Sequence, residues 1–309
     1  MSVLVVTDER FLDHRPGRRH PERPARLEAV WSGLKSAGLE DALVYRESRP
    51  AADEDLLRCH PSDHLAALVE IDAAGGGLVD TDTVMSPGSW SVARLAAGAG
   101  LVAVAALRAG EADVAFCAVR PPGHHATPNK SMGFCLVNNL AIAAMSLVEA
   151  GDRVAIVDID AHHGDGVYYA FEEDPDLAIA DIHEDGRYLY PGSGAANEEG
   201  KGIARGTKLN IPLPPNSDDN DFFRAWPRVE ALIENHKPEF IIFQAGVDSM
   251  IGDPLTHLRF SVAAHTHAAK RLVQLANKYA KGRLLVYGGG GYNLDNVARG
   301  WCAVCKELI

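Results

Sequence analysis

Residues able to bind a metal or carry a proton gather at a few places in this chain. His124 and His125 follow Arg120-Pro-Pro-Gly, Asp158, Asp160, His162 and Asp165 fall within VDIDAHHGDG (157–166), Asp248 closes QAGVD (244–248), and Tyr292 follows four glycines. Alternate residues of an extended segment point the same way, so a carboxylate and the His162 imidazole can reach one ion. Asp248 can add a second carboxylate. Two carboxylates and one imidazole leave a position open for water, as in a catalytic rather than a structural zinc site. The competing explanation, strand-end aspartates that cap helices or pair with arginines, suffices for one Asp-x-Asp-x-His but not for its company. Adjacent histidines on a rigid Pro-Pro-Gly turn are poor packing residues and suit acid–base work near neutral pH. Asp158 and Asp165 flank the ligand set and can fix their tautomers. Glycines 288–291 let the backbone pass close to a ligand, and the Tyr292 phenol can donate a hydrogen bond to an oxyanion.

These residues need a frame. Short continuous apolar runs predict strands at Val3–Val6, Val114–Val119, Val154–Ile159, Leu177–Ile182, Leu209–Leu213, Phe240–Phe243 and Leu284–Tyr287. Such runs mark strands covered on both faces, as in a parallel sheet flanked by helices. Helical patterns lie between them, at Pro24–Ser36, Asp63–Ile71, Ser91–Arg108, Asn139–Glu149, Asp221–Asn235, Val262–Tyr279 and Leu294–Leu308. In open parallel α/β sheets ligands bind beyond the carboxyl ends of the strands. Four strand ends here run into the ionisable groups above, and that convergence carries more weight than any single motif. No repeat or biased linker divides the chain, which predicts one domain over residues 1–309.

Composition narrows the field. The chain has 309 residues, 47% hydrophobic, with 30 Lys and Arg against 42 Asp and Glu, a formal charge of −12. Such a field repels nucleic acid and anionic membrane surfaces; Arg15, Arg18, Arg19 and Arg23 read as a solvated loop. Five cysteines are too few and too scattered for a disulfide scaffold, and Cys302-x-x-Cys305 reads as packing of a terminal helix. The N-terminus reads as a strand, not a signal peptide, and no apolar stretch is expected to reach membrane-spanning length. A cytoplasmic location is the expectation. Gly98-x-Gly100-x-x-Ala103 lies inside a helical pattern, which argues against a dinucleotide fingerprint. Gly194–Lys201 has the wrong spacing for a phosphate loop. His60 and His64, four apart, read as a solvated helix face.

Taken together, HPERPARL (20–27), RPPGHHA (120–126), GFCLVNN (133–139), VDIDAHHGDGV (157–167), HEDGRYLYPGSG (183–194), QAGVDSMIGDPL (244–255) and GGGGYN (288–293) resemble the histone deacetylase and acetylpolyamine amidohydrolase superfamily, in its bacterial, class II-like form. The segments run in family order and span nearly the whole chain. The resemblance implies the arginase–deacetylase fold, a mostly parallel eight-stranded sheet with helices on both faces. It implies one Zn2+ held by Asp160, His162 and Asp248, His124 paired with Asp158 and His125 with Asp165 for proton transfer, and Tyr292 polarising the amide carbonyl. It also implies an acyl-lysine channel lined by Phe134 and Tyr190 beside Gly133, Asp82 at the rim, and Arg26 beneath the site. The reaction implied is metal-assisted hydrolysis of an acyl amide on a lysine or a similar small amine, with an oligomer left open.

Two positions depart from the family pattern. Tyr190 stands where many relatives have Phe, and Asp181 where many carry a serine that helps bind a monovalent cation. A K+ site at Asp158, Asp160 and His162 stays open. Among rivals, a two-manganese ureohydrolase needs further aspartates, but position 163 is His. An inactive acyl-lysine-binding module does not need Tyr292. An acetylpolyamine amidohydrolase is closest; one such group has an acidic residue after Gly-Asp-Pro, where this chain has Leu255, although Glu184 and Asp185 keep polyamines open.

Overall fold

The computed structural model describes residues 3–309. In chain order the strands are β1 (Val3–Thr7), β2 (Leu43–Glu47), β3 (Gly77–Leu78), β4 (Val84–Met85), β5 (Val114–Cys117), β6 (Val154–Asp158), β7 (Leu177–Glu184), β8 (Lys208–Leu213), β9 (Phe240–Gln244) and β10 (Leu284–Tyr287). The helices are α1 (Ala25–Ser36), α2 (Asp53–Leu57), α3 (Ser62–Ala73), α4 (Ser89–Ala109), α5 (Asn139–Val148), α6 (Asp165–Phe171), α7 (Asp219–His236), α8 (Val262–Tyr279) and α9 (Leu294–Leu308). Among the described residues eight strands form one sheet in the order β2-β1-β5-β10-β9-β6-β7-β8, every pairing parallel. β3 and β4 form a separate antiparallel hairpin.

The inner strands are buried along their whole length, as continuous apolar runs require: β5, β6, β9 and β10 have no exposed residue. One helical layer packs α1 and α8 on α9 and α7 on α8; the other packs α4 on α5 with α3 and α6 beside them. Polar residues stop the chain where helices begin. Asn138, Asp218, Ser261 and Asn293 each accept a backbone N–H from the first turn of α5, α7, α8 and α9, satisfying donors that the helix leaves free.

β5, β10, β9 and β6 are consecutive neighbours in the middle of the sheet. After β5 the chain crosses two strand positions to reach β6, and β9 and β10 later fill the gap. The four strand ends with chemistry, spread over more than 170 residues of sequence, are thereby set side by side at one edge of the molecule, at the topological switch where parallel sheets bind ligands.

Three elements carry no sequence signal, and two expectations need correction. β2 has four of its five residues exposed, so it lacks the apolar run that marks a buried strand; α2 and α6, at 5 and 7 residues, are too short for a helical period to show. α4, 21 residues long, is apolar enough to span a membrane by length and composition. It lies in the core instead, with Gly98 against the Arg49 carbonyl and Gly100 against the Tyr287 hydroxyl, so close that a Cβ at either would collide. His60 is not solvated: its Nδ1 is 3.0 Å from the Pro128 carbonyl, and its Nε2 accepts from Asn138 N at 2.9 Å.

Candidate active site

The turn after β5 is anchored by Arg120, which is buried and bidentate to Glu22, with 2.7 Å to each oxygen. It also donates to the carbonyls of Phe11 and His14. This fixes the Pro-Pro-Gly turn and presents His124 and His125, ring centroids 4.1 Å apart. His124 Nδ1 lies 3.0 Å from Asp158 Oδ2, and His125 Nδ1 lies 2.7 Å from Asp165 Oδ1. The pairings expected from the resemblance are therefore present, and each engages the Nδ1 of its ring. Asp165 opens α6, so helix geometry sets its direction.

The end of β6 turns its polar groups inward. Asp158 Oδ1 accepts from Asp160 N at 2.9 Å, and Asp160 Oδ1 from His162 N at 3.1 Å. Asp248, past the end of β9, accepts from Ala161 N at 2.8 Å. Gly290, past β10, donates to Asp160 Oδ2 at 2.7 Å. His162 Nδ1 then stands 3.0 Å from Asp248 Oδ2 and 3.2 Å from Asp160 Oδ1. One ligand atom from each of Asp160, His162 and Asp248 lies within 4.8 Å of the others, and all three residues are buried. Two buried carboxylates around one imidazole nitrogen form a donor set that fits a divalent cation and, without one, is strongly self-repelling.

The electrostatics reflect that crowding. Burial opposes a charge on His162 and His124, but the surrounding aspartates outweigh it and raise both to about 10. Asp248 is pushed up to about 7 by burial and by Asp160 beside it. Burial, with the charge of His124, lowers His125 to about 4. The Tyr292 phenol is raised well above its ordinary value by burial and by Asp248 and Asp160, so it keeps its proton as a donor.

A cavity of about 220 Å3 leads to this cluster, lined by Asp82, His125, Gly133, Phe134, His162, Leu189, Tyr190, Leu255 and Tyr292. The residues expected at the channel are thus gathered at one opening. The Tyr190 ring meets His125 edge-on at 5.2 Å, and Phe134 meets Tyr292 edge-on at 5.6 Å. Phe134 has φ 66°, a conformation a bulky residue adopts only when its surroundings enforce it. Arg26 sits beneath, as expected, donating to the carbonyls of Gly291 and Gly289 with its guanidinium 5.1 Å from the Tyr292 ring.

Sequence reasoning missed the supporting roles of several residues. Asp253 accepts from Tyr292 N at 2.7 Å and Leu255 N at 3.0 Å, holding both at the cavity. Glu184 is buried and ties down the same loop through His257 N and Nδ1, and Asp185 pairs with Arg187. Both acids have partners, and neither lines the cavity. Glu22 holds Arg120 and lies 3.4 Å from Arg26, joining the turn of the histidines to the glycine run of Tyr292. Their only sequence signal is proximity to the motifs: Gly-Asp-Pro for Asp253 and HPERPAR for Glu22.

A sheet of this order with such a cluster at its switch point defines an α/β protein with a candidate metal centre at the carboxyl ends of its strands. Residues 20–308 match the histone deacetylase domain. A probable deacetylase of Archaeoglobus fulgidus is 36% identical over 299 residues, covering 96% of this chain and 82% of that protein. A histone deacetylase-like amidohydrolase of Pseudomonas aeruginosa is 36% identical over 292 residues, 94% of this chain and 77% of its own length. An acetoin utilization protein AcuC of Staphylococcus aureus is 32% identical across 100% of the chain and 82% of its own length. Among solved structures, the crystal structure of the HDA15 HD domain superposes with a TM-score of 0.93 at 34% identity, covering 99% of this chain and 88% of that one. The chain belongs to the histone deacetylase family and is an amidohydrolase of the deacetylase type.

Proposed function

We propose that the protein is a zinc-dependent deacylase that removes an acetyl or other short acyl group from a lysine side chain or a similar primary amine. The observation that carries this reading is one cavity lined both by the aromatic rings of Phe134 and Tyr190 and by His125, His162 and Tyr292. An extended aliphatic chain fits between two aromatic walls, and its amide is delivered to the polar end.

Asp160, His162 and Asp248 would hold the zinc. When bound, zinc supplies the Lewis acidity that polarises the acyl carbonyl and acidifies the attacking water. His125, at the floor of the cavity, takes the proton from that water through Nε2, its Nδ1 held by Asp165. His124, held by Asp158, stabilises the charge beside it, and the pair returns a proton to the departing amine. Tyr292 donates to the oxygen that gains negative charge, and Arg26 and Asp253 hold that tyrosine in place. Asp82 at the rim accepts a backbone N–H of a peptide substrate.

Leu255 and Leu189 make the remaining rim apolar, which favours a substrate without a second ammonium. Five free, buried cysteines suit the reducing cytoplasm, the location that goes with this reading. The test compares rates on a fluorogenic acetyl-lysine peptide and on acetylputrescine, each with and without chelator. Faster, chelator-sensitive cleavage of the peptide is expected, and Leu255→Glu shifts preference toward the diamine. Faster cleavage of acetylputrescine by the unaltered protein makes it a polyamine enzyme, and two manganese ions per chain reject the zinc assignment.

A further inference from the structure

Behind the histidine pair lies a second buried dyad that this chemistry does not use. His183, on β7, has no exposed surface; its Nδ1 is 2.7 Å from Asp181 Oδ1 and its Nε2 is 2.9 Å from the Gly194 carbonyl. A carbonyl only accepts, so Nε2 carries a proton. A carboxylate at 2.7 Å from Nδ1 calls for a second proton between the two groups. Ring and carboxylate therefore form a charge-compensated pair, and Asp181 brings no net charge into the core.

The pair adjoins the proton-carrying machinery. Asp181 pairs in register with Asp158 across β6 and β7. Its Oδ2 accepts from Gly164 N at 2.9 Å, the residue between the His162-His163 segment and Asp165. A Cβ on Gly164 would stand 2.8 Å from Asp158 Oδ2 and 3.4 Å from both Asp181 Oδ2 and His124 Nδ1. Asp158 and His124 thus face the pair from β6 and from the turn after β5. His163 faces it from the loop after β6, its ring centroid 4.9 Å from that of His183.

We propose that Asp181 and His183 form a charge-compensated positioning pair for the His124–Asp158 and His125–Asp165 dyads, one that orients them without a monovalent cation at Asp181. At Asp181 the charge such a cation would balance is already balanced by His183, and each carboxylate oxygen already has a donor, His183 Nδ1–H on one and Gly164 N–H on the other. The pair holds Gly164, and through it the start of α6 and Asp165, while keeping two buried carboxylates, Asp158 and Asp181, from repelling each other.

The inference rests on the deacylase reading, and its test has one arm independent of that reading. KCl is exchanged for choline chloride at fixed ionic strength, so that screening is unchanged, while melting temperature and kcat/KM on the acetyl-lysine peptide are followed. Both are expected to stay constant for the unaltered protein. Asp181→Ser is expected to lose about tenfold in kcat in choline, the effect typical of removing a partner that orients a ligand or base. That variant should recover part of the loss, and gain melting temperature, when KCl is restored. Asp181→Asn, which keeps the shape and loses the charge, should displace the pH profile of kcat/KM without raising KM. A rise in melting temperature or rate of the unaltered protein in KCl overturns the proposal, as does an Asp181→Ser variant with unaltered kcat and pH profile in choline. Should the peptide not be cleaved at all, the melting series alone decides, and the two failures remain distinct.

Discussion

Tyr292 stands 5.6 Å from Phe134, over the Arg26 guanidinium, with a phenol that burial and the adjacent aspartates keep protonated. It is a neutral donor lining the cavity, so its contribution is felt only when charge develops on the substrate oxygen. Tyr292→Phe is expected to lower kcat by about 10²–10³, the usual cost of one oxyanion donor. Zinc content, measured by mass spectrometry of the purified protein, should not change, because the phenol is not a ligand. Full activity in that variant removes Tyr292 from the mechanism. The histidines divide along the same lines: His125 lines the cavity, while His124 lies behind it with its Nε2 3.9 Å from Asp160.

At the scale of elements, the site depends on loops that approach one another more closely than side chains normally allow. A Cβ on Gly290 would collide with the carboxylate of Asp248 and crowd that of Asp160, and it is the Gly290 N–H that orients Asp160. Gly290→Ala is therefore expected to fold, since the glycine run lies outside the sheet, but to retain less than about a tenth of the metal of the unaltered protein, as displaced ligands cost 10–100-fold in affinity. Circular dichroism together with metal analysis checks both halves. The loop from Asp253 to His257 behaves in the opposite way: buried Asp253 and Glu184 hold it from below, so its Leu255 side chain is free to set preference without disturbing the chemistry.

The whole molecule concentrates four buried strand ends and their carboxylates at one edge of a single sheet, and this makes metal loading depend on pH. The ligands must shed protons to bind a cation. Under the proposed zinc assignment His162, raised to about 10, and Asp248, raised to about 7, each have a proton to shed on binding, so affinity is expected to rise with pH up to about 10 and to fall more steeply below about 7, where both are protonated. Competition with a calibrated chelator across this range measures it; affinity independent of pH would show that these groups are not the ligands. The sheet itself was legible because β5, β6, β9 and β10 are continuous apolar runs, and the site because its ligands follow directly on those runs. β2, α2 and α6 were not, being too exposed or too short to carry a period. His60 and Glu184 look like surface residues by type, and α4 is a core helix with a membrane helix's composition. Residue type and local spacing by themselves determined which groups can bind a metal, move a proton or donate to an oxyanion, because those are properties of the side chains and of the strand ends that carry them. Only the tertiary structure decided that β9 and β10 lie between β5 and β6, that Glu22 and Asp253 brace the catalytic loops, and that Asp181 faces His183 rather than a free site, because these are contacts between segments distant in the chain, set by the order in which strands enter the sheet.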